Sequence, residues 1–224
     1  MVAFLGKANI GVIRYSIRGL DMATQAQRRL AVKIADRESL LMKSLTKVQK
    51  AERHKCFVSF HHADEMDAER FIDDFEKAFY PRVLGVSDED DFIDSDDTDY
   101  VMDQIREKYL TDSTVTIVLI GQCTWARRYV DWEVSSTLRN DKLNRRGGLM
   151  AMTLPSAANH SANKLPPRVR DNVDGDKKYA RWWKYPSSVF GLQQCIEEAF
   201  QARTSRAHLI NNKRDRNINN LQCP

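Results

Sequence analysis

Residues 55–65 read KCFVSFHHADE, a short apolar strand that ends abruptly in polar side chains. The apolar part contains Phe57, Val58 and Phe60, and the polar part begins at His61. In α/β proteins ligands bind where strands end. This stretch therefore predicts a strand of the core and, directly after it, a place where a binding site could form.

A second informative stretch is YVDWEV, which begins at Tyr129 and places Glu133 among aromatic residues near the start of a helix. Val130, Val134 and Leu138 recur at four-residue steps and define the buried face of that helix. Tyr129 and Glu133 are then stacked one turn apart on a neighbouring face. The pattern fits a functional carboxylate and also an ordinary surface glutamate, and the residues alone leave both interpretations open.

Strands and helices alternate from residue 55 onward. We predict strands at residues 55–60, 82–86, 114–120 and 149–154, and helices at residues 65–79, 100–109, around Glu133 and at 187–202. The run TVTIVLI is typical of a central strand that is buried on both faces. Such alternation predicts an α/β fold with a doubly wound, mostly parallel sheet. The carboxyl ends of its strands bring the loop after His61 and the helix of Glu133 to one rim.

A polar, proline-rich excursion at residues 155–186 precedes the last helix. It carries Trp182 and Trp183, which we expect to pack beneath that helix rather than to cover a pocket. Ser187 or Ser188 is the expected N-cap of the helix.

The chain of 224 residues has room for one α/β domain with extensions. We predict a basic helical N-terminal extension at residues 1–53, the α/β domain at 54–205 and a polar basic tail at 206–224. The helical pattern of the extension begins at Met22, which is an alternative start of the chain. The formal net charge of +4 is too small to indicate nucleic-acid binding by itself.

The cysteines, Cys56, Cys123, Cys195 and Cys223, form no CxxC pair and no metal-ligand spacing. This usage predicts reduced thiols in a cytosolic protein, with Cys56 and Cys195 as small buried hydrophobes. No segment approaches the roughly 18 apolar residues of a membrane helix, so we expect a cytoplasmic protein without a membrane partner.

Several common chemistries find no support in the sequence. The chain contains no GxGxxG, P-loop or GxSxG motif. His61 and His62 are adjacent on a strand end and so point to opposite sides, which argues against a metal site. The acidic run from Asp94 to Asp99 lacks the glycine and closing glutamate of an EF-hand. A phosphate-accepting receiver domain is disfavoured because no paired acids follow the first strand and no lysine ends the strand at 149–154.

Residues 55–202 resemble the TIR domain, and most of all the TIR-like subfamily that includes the TIR subunit of the bacterial Thoeris anti-phage system. The stretches that carry this resemblance are KCFVSFHHADE, STVTIVLIGQCTW, RRYVDWEV, LPPRVRDN and WWKYPSS. The resemblance implies a flavodoxin-like fold. It also implies that Glu133 is the catalytic glutamate on the helix after the third strand, with Phe60 and His61 lining the pocket. Family members often carry Trp four residues before this glutamate, where Tyr129 stands here and can still stack on a flat base.

The resemblance further implies cleavage of the nicotinamide–ribose bond of NAD. Breaking an N-glycosidic bond builds positive charge on the ribose, which one carboxylate can stabilise. Nicotinamide in NAD is already a cationic leaving group, so neither a general acid nor a metal or cofactor is required, and NAD is the substrate. The predicted function is a cytoplasmic NAD-cleaving enzyme of anti-phage defence, assembled through TIR–TIR contacts. Its product would be a cyclic or modified ADP-ribose that activates a separate effector.

An alternative hypothesis is a non-catalytic TIR-like interaction module. The acidic residues 88–103 and the basic N-terminal helix carry opposite charge, which would allow contacts between copies of the chain or with a partner. The two hypotheses are compatible, because self-association can complete a catalytic pocket.

Overall fold

The computed structural model describes residues 25–50, 52–83, 110, 112–140, 145–159, 161, 164–173 and 178–223. The chain divides into two compact units, Met1–Lys47 and Val48–Pro224. Met22, the acidic residues 88–103 and the helix predicted at 100–109 lie outside the described residues.

The second unit is built on a five-stranded sheet in which every described pairing is parallel. The strand order is β2-β1-β3-β4-β5, which is the flavodoxin-like order. This confirms the predicted doubly wound sheet. The second strand was predicted at residues 82–86 and begins earlier, because the backbone N–H of Tyr80 donates to the carbonyl of His54 and starts the pairing there. The strands are β1 (Lys55–Ser59), β2 (Tyr80–Arg82), β3 (Val115–Ile120), β4 (Gly148–Thr153) and β5 (Arg181–Trp183).

Five α-helices are described: α1 (Gln25–Lys50), α2 (Glu65–Asp74), α3 (Arg128–Leu138), α4 (Pro167–Val173) and α5 (Val189–Ser205). The last helix begins as predicted, since the Oγ of Ser188 accepts a hydrogen bond from the backbone N–H of Gly191 at 3.1 Å. Helix α2 ends at Asp74 rather than at residue 79. The chain turns after it, with the N–H of Ala78 bonded to the carbonyl of Phe75, and this turn delivers Tyr80 to the sheet.

Two apolar layers cover the sheet, one on each face. Every residue of β3 and β4 is buried, which confirms the central strand predicted from TVTIVLI. The first layer packs α2 and α5 on one face, through Phe71, Phe75, Leu192, Ile196, Ile117, Leu119 and Met150 among others. The second layer packs α3 and α4 on the other face, through Val130, Val134, Leu138, Val169, Val118 and Ile120 among others. Helix α3 is thus held against the sheet by the face that its sequence pattern predicted.

The excursion at residues 155–186 contains two elements that the sequence did not reveal, α4 and β5. Each is too short for its hydrophobic periodicity to be recognised. Trp183, in β5, packs against the layer that contains the last helix, as predicted, whereas Trp182 packs against the opposite layer because successive residues of a strand face opposite sides of the sheet. The indole Nε1 of Trp182 also donates to the Oγ1 of Thr153 at 2.8 Å.

The N-terminal helix α1 carries apolar side chains in contact with water. Leu30, Val32, Ile34, Leu40 and Met42 are each at least half exposed. Among the described residues, no helix combines the length and apolar character needed to span a membrane.

Candidate functional site

The candidate site lies at the carboxyl ends of β1 and β3, where the strand order reverses. From β1 the chain proceeds to β2 on one side, and from β3 it proceeds to β4 on the other. The loops that leave β1 and β3 therefore diverge and leave a crevice between them, which is where ligands bind in sheets of this kind. The two loops run over residues 60–64 and 121–127.

The two loops approach each other closely at Gly121 and Asp64. A Cβ atom on Gly121 would lie 2.0 Å from the Oδ2 of Asp64, so glycine is required unless the carboxylate moves. The Oγ1 of Thr124 accepts a hydrogen bond from the N–H of Gly121 at 2.8 Å and lies 3.4 Å from the same carboxylate oxygen. Asp64 thus joins the two loops. Among the described residues, no three His, Cys, Asp or Glu side chains cluster in a way that could hold a metal ion.

Glu133 is a buried carboxyl group rather than a surface glutamate. Only 6% of its side chain is exposed. Burial raises its pKa from 4.5 to about 8, and the nearby hydroxyl of Ser59, the last residue of β1, opposes that rise only in part. Within the described part of the chain, neither Oε2 of Glu133 nor Oγ of Ser59 has a partner at standard hydrogen-bond geometry. A buried carboxyl group with one oxygen lacking a partner, at the end of β1, is a group prepared for a ligand.

The residues after β1 lie beside the start of α3. Burial lowers the pKa of His61, and the positive charge of Arg127 and the neighbouring His62 lower it further. The charge of Arg127, the residue that precedes α3, therefore acts on His61. Phe60 is half-buried and packs against the apolar layer of α2 and α5.

Tyr129 lies one helical turn before Glu133. The edge of its ring meets Trp132 with the centroids 5.3 Å apart, and its hydroxyl accepts a hydrogen bond from Nη2 of Arg128 at 3.0 Å. Of the predicted site residues, the structure brings Glu133 to the end of β1 and His61 to the start of α3. The contacts described for Tyr129 are with its neighbours on the helix.

The comparison with protein families agrees with this architecture. Residues 57–159 match the family described as Thoeris protein ThsB, TIR-like domain. This segment is a TIR-like domain of the Thoeris type. The match begins in β1 and ends just after β4, and it includes Phe60, His61, Tyr129 and Glu133. No curated protein matches the chain.

A buried ion pair joins the TIR-like domain to residues beyond the family match. Nε and Nη2 of Arg168, on α4, donate to the two carboxylate oxygens of Asp131, on α3, at 2.9 and 3.1 Å. Both side chains are at most 1% exposed. The remaining guanidinium hydrogens bond to Asn212 Oδ1 and to the carbonyls of Arg214 and Asp215. This pair was not predicted from the sequence, because nothing in YVDWEV or LPPRVRDN marks these two charges as partners.

The polar tail after α5 runs back across the start of α3. The side chain of Asn220 accepts from the backbone N–H of Arg128 at 2.9 Å and so caps the helix from 92 positions away. The carbonyl of Asn217 accepts from Nε1 of Trp132 at 2.8 Å, and its N–H donates to the carboxylate of Asp131 at 3.0 Å. The N–H of Leu221 donates to the carbonyl of Ala126. The tail therefore supports the helix that carries Glu133.

A disulfide between Cys123 and Cys223 closes this arrangement. The prediction of reduced thiols is wrong for these two residues. The tail returns to the loop after β3 across 100 positions of sequence, and no spacing rule can show such a return. Cys56 and Cys195 are free, and burial raises the pKa of both thiols. Cys56 is fully buried as predicted, whereas Cys195 is only partly so.

Two surface cavities lie away from Glu133. One of about 930 Å³ is lined by Asp171 and by residues of the tail between Asn211 and Leu221. The other, of about 390 Å³, is lined by residues of β5 and its neighbours, including Trp183 and Glu198. The candidate site is therefore identified by its buried carboxyl group and its place in the sheet, not by cavity volume.

We predict that Glu133→Gln makes the protein more stable at alkaline pH and leaves its stability nearly unchanged at pH 5. The folded-state pKa of Glu133, about 8, lies above the unfolded value, so the wild-type protein loses stability as pH rises from about 4.5 to 8. Glutamine does not titrate, so above pH 8 the free energy of unfolding of Glu133→Gln can exceed that of the wild-type protein by roughly 5 kcal/mol. Urea unfolding at pH 5, 7 and 8.5 measures the effect. The exposed Glu69→Gln is the control, and equal pH dependence in both variants would contradict the prediction.

We predict that Arg168→Met destabilises the protein by about 3–5 kcal/mol, because it leaves the carboxylate of Asp131 buried without its counter-ion. Thermal unfolding should show a midpoint lower by about 10 °C. Arg214→Met removes a partly exposed ion pair with Asp171 and serves as the matched control, with an expected cost below about 1 kcal/mol. A similar loss in the two variants would show that the Asp131–Arg168 pair has no special role.

Proposed function

We propose that this protein cleaves NAD at the bond between nicotinamide and ribose, with Glu133 as the catalytic carboxylate, as an enzyme of Thoeris-type anti-phage defence. The observation that carries the proposal is the buried, unsatisfied carboxyl group beside Ser59 at the end of β1. The family match supports it, because residues 57–159 form a Thoeris TIR-like domain that includes Glu133.

The chemistry requires one negative charge beside the sugar carbon that loses the pyridine. As the C1′–N bond breaks, its electron pair moves to the ring nitrogen and nicotinamide leaves as a neutral molecule. The ribose becomes oxocarbenium-like, and the carboxylate of Glu133 stabilises that positive charge. Attack by water gives ADP-ribose, and attack by a hydroxyl or ring nitrogen of the same molecule gives a cyclic product; where the attacking group carries a proton, that proton passes to solvent.

The raised pKa of Glu133 fits this role. In the empty site at neutral pH the carboxyl group is mostly protonated. A bound nicotinamide ring carries a positive charge, which favours the ionised carboxylate. The buried group therefore becomes charged when a cation faces it, in surroundings where the electrostatic interaction is strong.

The other predicted residues have roles at the same rim. Phe60 and His61 follow β1 and would line the pocket, and Tyr129 would contribute an aromatic surface one turn before Glu133. We propose that NAD is used as a substrate with no further cofactor. The product, a cyclic or modified ADP-ribose, would reach a separate effector by diffusion.

The direct test is release of nicotinamide from NAD by the purified full-length chain. We expect Glu133→Gln to lower kcat by at least 100-fold, since it removes the charge that stabilises the transition state. Glu69→Gln should retain the wild-type rate. Equal rates for wild type and Glu133→Gln would eliminate Glu133 as the catalytic residue.

The pH dependence tests the ionisation of Glu133. Because the carboxylate is the active form, kcat/KM should rise about tenfold per pH unit below pH 8 and then level off. Ser59→Ala removes the hydroxyl that lowers this pKa, so the midpoint of the kcat/KM profile of this variant should move to higher pH. A profile that is flat between pH 6 and 9, or a midpoint that Ser59→Ala leaves in place, would refute the assignment.

A second candidate function is self-assembly, favoured by the apolar side chains that α1 exposes. We expect light scattering to detect an oligomer that Ile34→Glu weakens. An oligomer held together by apolar contacts should persist from 0.05 to 1 M salt. An oligomer held together by opposite charges should dissociate over that range. A monomer at every salt concentration would exclude self-assembly by either route.

A further inference from the structure

Three side chains at the rim of the candidate site take no part in the mechanism above: Trp125, Arg127 and Lys164. Trp125 lies in the turn that follows β3, and Arg127 directly precedes α3. Lys164 precedes α4, and its Nζ lies 4.8 Å from the centroid of the Trp125 ring. Lys164 and the ring of Trp125 thus meet in the loops that follow β4 and β3, and Arg127 lies two residues after Trp125 in the same loop.

These groups carry unused binding capacity. Nε1 of Trp125 is buried and has no hydrogen-bond partner in the described part of the chain. Nε of Arg127 donates to the carbonyl of Cys123 at 3.3 Å. Among the ion pairs formed by the described residues, none involves Arg127 or Lys164. A buried donor without an acceptor and two cations without a carboxylate are together suited to bind an anion.

The positive charge reaches the facing loop. Arg127 lowers the pKa of His61, after the larger effect of burial, so its guanidinium lies within electrostatic reach of the end of β1. The acidic residue of that loop, Asp64, lies beside Thr124 and Gly121. On its β3 side the crevice is therefore bordered by the positive charge of Arg127 and by the carboxylate of Asp64, which lies against Gly121 and Thr124.

We propose that Arg127 and Lys164 bind the diphosphate of the dinucleotide and that Trp125 supplies an N–H donor to it. The assignment rests on the proposed function, because it takes NAD as the ligand. The two cations match the two negative charges of a diphosphate. Lys164 is long and flexible, so its ammonium can leave the ring of Trp125 for a phosphate oxygen and uncover the indole N–H. With the diphosphate held here, the ribose on the nicotinamide side extends toward Glu133.

Calorimetric titration with ADP-ribose, which has the diphosphate but no bond to cleave, tests the proposal. We expect Lys164→Met and Arg127→Met each to raise the dissociation constant about tenfold, the loss of one charge-assisted contact. Trp125→Phe keeps a ring but removes the N–H, and we expect a rise of about threefold to tenfold. Lys184→Met, at an exposed lysine after β5, is the control and should bind as wild type does. Adenosine, which lacks the diphosphate, should bind all four variants as it binds wild type.

The outcomes separate this subsite from the catalytic proposal. The subsite is overturned if Lys164→Met and Arg127→Met bind ADP-ribose as tightly as the wild-type protein does. It is also overturned if these variants lose as much affinity for adenosine as for ADP-ribose. Failure of the wild-type protein to bind ADP-ribose would also overturn it. If ADP-ribose binding depends on the two cations while NAD is not cleaved, the subsite stands and the proposed function falls. If NAD is cleaved with a KM that neither cation affects, the function stands and the subsite falls.

Discussion

The buried pair of Asp131 and Arg168 is the interaction on which the arrangement of the site depends. It ties α3, which carries Glu133, to α4 and to the backbone of the tail. Removing two charges from water is costly, and a pair of this kind adds little net stability over an apolar replacement. Its contribution is geometric, because all five guanidinium hydrogens of Arg168, on α4, are directed at defined acceptors on two other segments, α3 and the tail. Each of these segments is consequently held in one register with the others.

Glu133 stands in the opposite situation on the same helix. Asp131 is buried with its counter-ion, whereas Oε2 of Glu133 is buried without a partner among the described residues. The carboxylate of Asp131 is therefore paired within the protein, whereas the carboxyl group of Glu133 remains available to a ligand. Local violations of the rule that buried polar groups are paired are expected at functional sites, where stability is given up for chemistry. The contacts that hold α3 in place offset the cost of burying Oε2 of Glu133 without a partner.

Features whose signal is local could be predicted from the sequence, whereas features that depend on distant contacts could not. The apolar run of β3, the buried face of α3 and the N-cap at Ser188 each follow from a few neighbouring residues. Helix α4 and strand β5 escaped because each is short, and α2 ended early because the turn after it serves the pairing of β2. The position of Glu133 on its helix was predictable. Its burial was not, because burial depends on Ser59 and on the sheet beneath it.

The course of the tail also has a practical consequence for anyone who handles this protein. Cys223 is tied to Cys123, in the loop that opens the crevice, so this part of the tail lies beside the candidate site. An affinity tag or fluorescent protein attached directly after Cys223 would begin next to the crevice and would obstruct it. Reducing agents in a purification buffer would release the same anchor, and two preparations of one sequence would then differ in how firmly α3 is braced.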